Sequence, residues 1–196
     1  MGSKNKLKRF KENETFENVL QPTREEVVSG EFQYKGKWNS DFFKNNNPII
    51  VELGCGKGEY TIGLAERNPN INYIGIDVKG ARFWRGAKTA VETGMNNVGF
   101  VRTQIELIEN IFSSHEISEI WITFPDPQLR LSKAKKRLTH PKFLRLYQQI
   151  LQPNGVINLK TDSPNLYQFT KTVIELYGLE LLVDYDDTYS VVDLKE

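Results

Sequence analysis

The chain has 196 residues, 39% of them hydrophobic and 26% charged, which is typical of a globular protein with one substantial core. Its longest apolar runs, such as Ile49–Val51, are far too short to cross a membrane, and the basic segment Met1–Phe10 lacks the apolar stretch of a secretory signal. A single cysteine, Cys55, excludes an internal disulfide framework, and we expect a cytoplasmic protein.

The net charge of +1 conceals an uneven distribution of basic residues. One basic cluster contains Lys4, Lys6, Lys8, Arg9 and Lys11, and a second contains Arg130, Lys133, Lys135, Lys136, Arg137, Lys142 and Arg145. The C-terminal residues 175–196 are acidic in turn, with seven Asp or Glu side chains against the single Lys195. This polarity permits a polyanion-binding surface on one side of the protein, although a solvated surface helix explains either cluster taken alone.

In chain order, residues 1–47 are polar and predict a basic arm with a short helical entry, followed by a regularly patterned domain over residues 48–196. In that domain we predict strands at Ile49–Leu53, Tyr73–Asp77, Val98–Val101, Glu119–Phe124, Val156–Lys160 and Leu179–Asp184. We predict helices at Glu59–Arg67, Ala81–Thr93, Ile105–Phe112, Lys142–Leu151 and Asn165–Tyr177, the last with Ser163 as its N-cap and Pro164 in its first turn. The alternation predicts an α/β fold with a doubly wound, mostly parallel sheet, whose ligands bind beyond the carboxyl ends of the strands.

The first predicted strand runs into a glycine-rich loop, Glu52-Leu53-Gly54-Cys55-Gly56-Lys57-Gly58, which is followed by a helix. Glycines at alternate positions let the backbone turn sharply and let a ligand approach closely. Asp77 ends the second predicted strand, where a carboxylate accepts hydrogen bonds from ribose hydroxyls. A tight turn explains the glycines alone, but the loop together with Asp77 predicts a nucleotide-type site, with Cys55 as a small space-filling residue.

The charge at the start of this loop distinguishes between nucleotide ligands. Dinucleotide-binding loops have the spacing G-x-G-x-x-G and hold pyrophosphate, which the Glu52 carboxylate would repel. The same carboxylate would attract the ammonium of a methionine moiety, so we predict S-adenosylmethionine as the cofactor. The pattern E-x-G-x-G-x-G resembles the first motif of class I methyltransferases, which have a Rossmann-like sheet. That resemblance implies ribose binding by Asp77 and places Gln104 near the adenine edge.

The fourth of the predicted strands ends in the sequence Phe124-Pro125-Asp126-Pro127. Two prolines restrict the backbone on either side of Asp126 and so fix where its carboxylate points. A solvated aspartate in a proline-rich turn is the alternative interpretation. Within a class I methyltransferase this loop lies beside the methyl group that is transferred.

Several ordered motifs together resemble the tRNA (guanine-N7-)-methyltransferase family, over roughly residues 1–190: Ile74-Gly75-Ile76-Asp77, Gly86-Ala87-Lys88, Phe124-Pro125-Asp126-Pro127, Lys136-Arg137-Leu138-Thr139, and Leu159-Lys160-Thr161-Asp162 with Leu166-Tyr167. The resemblance implies cofactor contacts at Glu52, Gly54, Gly56, Gly58, Asp77, Gln104 and Asp126, with Asp126 also at the catalytic centre. It implies substrate contacts at Arg130 and Asp162, and an RNA-binding segment of Ser132, Lys133, Ala134, Lys135, Lys136 and Arg137.

Two departures from the family pattern are visible in the sequence. The family more often has Lys where this chain has Arg130, which keeps the charge but changes the donor geometry. The chain also lacks the family's C-terminal Thr-x-Tyr-Glu element and its last antiparallel strand. We therefore expect a truncated sequence whose sheet is incomplete at its C-terminal edge.

The predicted activity is methyl transfer from S-adenosylmethionine to N7 of a guanine in tRNA, in the variable loop by family resemblance. Because N7 has a lone pair and no proton, we assign Asp126 an orienting and electrostatic role. Three alternatives remain: a methyltransferase with a protein or small-molecule acceptor, a nucleotide-dependent oxidoreductase, and a catalytically silent RNA-binding subunit. The sequence predicts no metal site and leaves the oligomeric state open.

Overall fold

The centre of the structure, a computed structural model that describes residues 3–185, is a sheet of six parallel strands. The strands are β1 (Val19–Leu20), β2 (Ile49–Leu53), β3 (Asn72–Asp77), β4 (Val98–Arg102), β5 (Ile117–Thr123) and β6 (Leu151–Lys160). Their spatial order is β1-β4-β3-β2-β5-β6, with β2 buried along its whole length. The chain runs outward from β2 through β3 to β4 and then crosses back to β5 on the other side of β2, so a ligand crevice is expected at the carboxyl ends of β2 and β5.

Helices cover both faces of the sheet. The α-helices are α1 (Ser3–Asn13), α2 (Arg24–Ser29), α3 (Glu59–Arg67), α4 (Gly80–Glu92), α5 (Ile108–Ile111), α6 (Pro141–Ile150) and α7 (Pro164–Leu176). A π-helix spans Trp38–Phe43, and 3-10 helices span Ile105–Leu107 and Leu131–Lys136. One face is covered by a core that includes Phe83 and Phe100, and the other by a core that includes Trp38 and Tyr147.

The predicted doubly wound fold is confirmed, and β2 and α3 have the predicted bounds. Ser163 caps α7 as predicted, because its hydroxyl accepts a hydrogen bond from the Leu166 amide (3.3 Å). The helix predicted over Ile105–Phe112 is split into a 3-10 turn and α5.

The strand predicted over Leu179–Asp184 is wrong. After Gly178, at φ 61°, residues 179–185 form no regular structure, and Leu182 and Val183 are each 60% exposed. The segment is attached instead through Asp184, which accepts hydrogen bonds from Tyr167 (2.8 Å) and Lys171 (2.8 Å). Within the described residues β6 is therefore the last strand at this edge. The expected incomplete C-terminal edge concerns the chain beyond residue 185, outside the described residues.

The N-terminal segment is more regular than its polar composition predicts. It supplies α1, which packs on α4, and β1, which pairs with β4 and extends the sheet. Trp38 is fully buried, and its indole N–H donates to the Ile111 carbonyl (3.1 Å). The scattered aromatic residues of this segment thus belong to the core that contains Trp38 and Tyr147. Their burial explains how a polar stretch of chain is fixed on the sheet.

Candidate active site

The glycine-rich loop crosses the carboxyl ends of β2 and β3. The amides of Gly54 and Cys55 both donate to the Ile76 carbonyl, at 2.8 and 3.0 Å. Gly54, Gly56 and Gly58 have φ values of 74°, 57° and 77°, in the left-handed region that side chains disfavour. These backbone conformations explain why the turn requires glycine at all three positions.

The three glycines of the loop have different surroundings. Around Gly54 and Gly56 the space is open, since a Cβ would approach no atom closer than 3.9 Å and 4.0 Å respectively. At Gly58 a Cβ would lie 2.7 Å from the Phe100 ring, so this glycine allows α3 to pack against β4 and α4. Gly54 and Gly56 thus leave room for a ligand, whereas Gly58 is required for the packing of α3.

Asp77 is held in place by the loop that it faces. Its side chain is mostly buried, and one carboxylate oxygen accepts the Gly56 amide (3.0 Å) while the other accepts the Lys79 amide (2.7 Å). Each oxygen keeps a further lone pair, so the carboxylate is oriented and still able to accept hydrogen bonds from a ribose. Gln104 follows β4 at the same edge of the sheet, which is formed by the carboxyl ends of the strands and is here called the rim, and it is exposed.

Glu52 is 4% exposed and joins three elements of the fold. One of its oxygens accepts both the amide (2.9 Å) and the hydroxyl (2.5 Å) of Thr61, and the other accepts the hydroxyl of Thr123 (2.5 Å). Burial raises the pKa of this carboxyl, while the threonine hydrogen bonds lower it. The carboxylate thus ties β2 to α3 and β5, and its contact with a methionine ammonium stays a prediction.

Cys55 lies inside the loop and is buried. Burial raises the pKa of its thiol well above the ordinary value, and the nearby carboxylates of Glu52 and Asp77 raise it further. The reactive thiolate is therefore strongly disfavoured, in agreement with a space-filling role.

The Phe124-Pro125-Asp126-Pro127 loop begins directly after β5. The Phe124 amide donates to the Lys160 carbonyl (2.7 Å), which joins the loop to the end of β6. Phe124 and Gln128 have φ values of 45° and 48°, unusual for residues with side chains. Asp126 lies between them, exposed, and one of its oxygens accepts the Gln128 amide (3.0 Å). A strained turn thus presents a carboxylate at the rim of the sheet.

The predicted RNA-binding segment, Ser132–Arg137, lies next to this loop and largely coincides with the 3-10 helix Leu131–Lys136, which Arg137 ends. Lys133, Lys135 and Lys136 are exposed and form no ion pair within residues 3–185, and Ser132 is exposed beside them. Arg137 differs from its neighbours because its guanidinium donates to the carbonyls of Pro127 (3.2 Å) and Gln128 (3.3 Å). The sequence does not reveal this contact, since the basic run alone does not distinguish a half-buried arginine from an exposed one.

Arg130 and Asp162 are both exposed, the former before the 3-10 helix and the latter after β6. Among the described residues no cluster of three or more His, Cys, Asp or Glu side chains has the arrangement of a metal site. No helix in the described part of the chain is both long and apolar enough to cross a membrane.

Solved structures share this fold. The 16S rRNA methyltransferase KamB matches with a TM-score of 0.59 at 16% identity, covering 80% of each chain. An antibiotic-related methyltransferase matches with a TM-score of 0.56 at 17% identity, over 71% of this chain and 72% of that one. The family model described as "Putative methyltransferase" matches residues 46–191. The sheet, its glycine loop and this match define a class I methyltransferase that uses S-adenosylmethionine.

Curated relatives narrow the class further. A tRNA (guanine-N(7)-)-methyltransferase of Christiangramia forsetii is 58% identical over 96% of this chain and 84% of its own length. One of Porphyromonas gingivalis is 52% identical over 90% of this chain and 72% of its own length. The chain belongs to the tRNA (guanine-N(7)-)-methyltransferase family, which confirms the enzyme interpretation and the resemblance seen in the sequence.

Proposed function

We propose that this protein transfers a methyl group from S-adenosylmethionine to N7 of a guanine in the variable loop of tRNA. The main support for the proposal is the position of Asp126. Its exposed carboxylate is held in a strained turn next to the glycine loop of a methyltransferase fold. The relatives' names support the acceptor class. Because the substrate is tRNA, we expect the protein to act in the cytoplasm.

The residues that line the rim suit the cofactor. Gly54 and Gly56 leave open space beside a loop rich in backbone amides, and Asp77 is oriented for a ribose diol. Gln104, on the same rim, is the candidate for the adenine edge. S-adenosylmethionine supplies an electrophilic methyl group when it is bound there.

The acceptor chemistry makes modest demands on the protein. The N7 lone pair lies in the plane of guanine and carries no proton, so no general base is required. The protein must align the ring and stabilise the positive charge that it gains. A carboxylate held at the rim serves both needs, because Asp126 attracts the developing charge and accepts hydrogen bonds from the guanine N–H groups.

Substrate contacts follow from the charges beside Asp126. We assign Arg130 and Asp162 to the guanine nucleotide, since both are exposed on the elements that flank the loop. The exposed Lys133, Lys135 and Lys136 suit phosphate contacts, which position RNA without reading its sequence. A guanine stacked in folded tRNA must be drawn out to reach the rim, at a cost of a few kcal/mol.

The acceptor atom is tested with tRNA in which the variable-loop guanine is replaced by 7-deazaguanine, which has carbon in place of N7. We expect this tRNA to bind with unchanged affinity and to accept no methyl group, whereas tRNA with ordinary guanine is methylated. Equal transfer to both tRNAs would refute N7 of this guanine as the acceptor.

A further inference from the structure

A second cationic surface lies on the other side of the glycine loop from the segment Leu131–Lys136. It is an open cleft of about 870 Å³ lined by α1, by α4, by the loops that follow β2 and β3, and by the end of β4, and it is here called the α1–α4 cleft. Seven basic side chains line it, against the single carboxylate of Glu59: Lys6, Arg9, Lys57, Lys79, Arg82, Arg85 and Arg102. A cleft with so strong an excess of one charge concentrates ligands of the opposite charge.

One wall of the cleft is fixed by contacts between α1 and α4. Glu12 accepts hydrogen bonds from the Trp84 indole (2.9 Å) and from Lys88 (3.0 Å). The Arg9 guanidinium lies 4.5 Å from the centre of the Trp84 ring, and the Asn13 side chain, fully buried, donates to the Gly80 carbonyl (2.9 Å). The basic residues of α1 are thus held beside those of α4.

The floor of the cleft is also ordered. The Arg102 guanidinium lies 4.5 Å from the centre of the Phe10 ring and donates to the Val78 carbonyl (3.4 Å). Arg82 and Arg85 stand on α4 three residues apart, which places both on one side of the helix. Both are exposed and form no ion pair within the described residues 3–185. Their charges are therefore available to a partner.

The cleft adjoins the rim at the glycine loop. Gly56 and Lys57 of the glycine loop line its edge. On the other side of the loop, a Cβ at Gly54 would lie 3.9 Å from Leu138, which follows the basic segment. The glycine loop thus has basic residues on both sides, close to where the guanine of a polyanion would enter the rim.

We propose that the α1–α4 cleft binds the phosphate backbone of the same tRNA, as a second contact surface separate from the segment Leu131–Lys136. This inference rests on the proposed function, because it takes tRNA as the partner. Guanidinium groups of Arg82 and Arg85 suit phosphate oxygens, to which arginine donates two hydrogen bonds in a fixed geometry. Phosphate contacts on both sides of the rim would hold the RNA while the guanine is drawn into the site.

The test compares two double variants that remove equal charge. Arg82→Gln/Arg85→Gln changes the cleft, whereas Lys37→Gln/Lys44→Gln changes two exposed lysines near the amino ends of the strands, where Gly36 contacts Glu116 (3.0 Å) and Asn45 contacts Asn72 (3.2 Å). Binding of fluorescently labelled unmodified tRNA is measured by anisotropy at several salt concentrations. Affinity for S-adenosylmethionine is measured by calorimetry, and folding is checked by circular dichroism.

For the cleft variant we expect roughly tenfold weaker tRNA binding and a salt dependence reduced by about one to two released ions, with unchanged affinity for S-adenosylmethionine. The control variant should bind tRNA like the wild type. Unchanged tRNA affinity in the cleft variant, or a parallel loss of cofactor affinity, would overturn the proposal. Methyl transfer by the wild type in the same preparation separates this result from a failure of the proposed function.

Discussion

The Arg137 side chain donates a hydrogen bond to the carbonyl of Pro127 (3.2 Å), the residue that follows Asp126. A second bond reaches the Gln128 carbonyl (3.3 Å), and the guanidinium lies 4.4 Å from the centre of the Phe169 ring on α7. Arg137 thus connects the strained turn to the body of the protein. The sequence assigns Arg137 to an RNA-binding segment, but its hydrogen bonds in the structure hold the turn that carries Asp126.

Substituting Arg137 by Lys tests that connection, because the charge is kept while the planar arrangement of donors is lost. We expect kcat to fall roughly ten- to a hundredfold, since small displacements of a reacting group are costly. Affinity for tRNA should change little. The matched variant Lys136→Arg should keep the wild-type kcat. A loss of tRNA affinity in Arg137→Lys without a change in kcat would show that Arg137 contacts RNA instead.

Substituting Asp126 by Asn removes the charge but keeps an oxygen to accept the Gln128 amide (3.0 Å), so the turn should survive. We expect kcat to fall by about a hundredfold or more, the usual cost of losing one preorganised electrostatic group. Steady-state kinetics at saturating tRNA and S-adenosylmethionine measure kcat, and single-turnover kinetics show whether the chemical step is the one that is slowed. The exposed aspartate Asp41, on the π-helix, provides the control Asp41→Asn, which should behave as the wild type. Equal rates in both variants would refute the role of Asp126.

Two helical glycines provide a test of packing behind the glycine loop. A Cβ at Gly86 of α4 would lie 2.9 Å from the Lys57 carbonyl and 2.9 Å from the Phe100 ring, whereas a Cβ at Gly63 of α3 would meet nothing within 4 Å. We expect Gly86→Ala to lower the free energy of unfolding by about 1–3 kcal/mol and to weaken binding of S-adenosylmethionine. Gly63→Ala should raise the free energy of unfolding by about 0.5–1 kcal/mol. Urea unfolding measures both free energies of unfolding. A change of the same sign in the two variants would contradict this description of the packing.

His140 makes stability depend on pH. Its Nδ1 accepts the Lys142 amide (3.1 Å) at the start of α6, which requires the neutral ring. Burial lowers the pKa of this imidazole, and the charges of Lys142, Lys135 and Arg137 lower it further. The contribution is therefore complete above the unfolded-state pKa of about 6.5 and is lost as the pH falls through the lower folded-state value.

Acidification from pH 7.5 to pH 5 should thus remove up to about 1 kcal/mol, the usual contribution of an N-cap. His140→Asn keeps a capping oxygen that does not titrate, so this variant should lose less stability than the wild type over the same interval. His115→Asn, at the other histidine, serves as the control. Identical pH profiles for wild type and His140→Asn, measured by urea unfolding, would exclude the cap as the sensor.

Much of this architecture is predictable because local patterns determine it. The apolar runs of β2 to β5 and the glycines of the loop locate the rim, and with it Asp77 and Asp126. The docking of α1 depends on Glu12 meeting Trp84 and Lys88, residues far apart in the chain, which no local pattern reveals. The apolar residues of Leu179–Asp184 resemble a strand, but a strand also requires a neighbour, which the described residues do not provide.

The central claim is tested most directly by incubating the protein with unmodified tRNA and labelled S-adenosylmethionine, then analysing the nucleosides of the digested RNA. We predict that the label appears in 7-methylguanosine, and that the Asp126→Asn variant forms this nucleoside at about a hundredth of the wild-type rate or less. Label in another nucleoside, or no label in tRNA although the protein binds both substrates, would contradict the account.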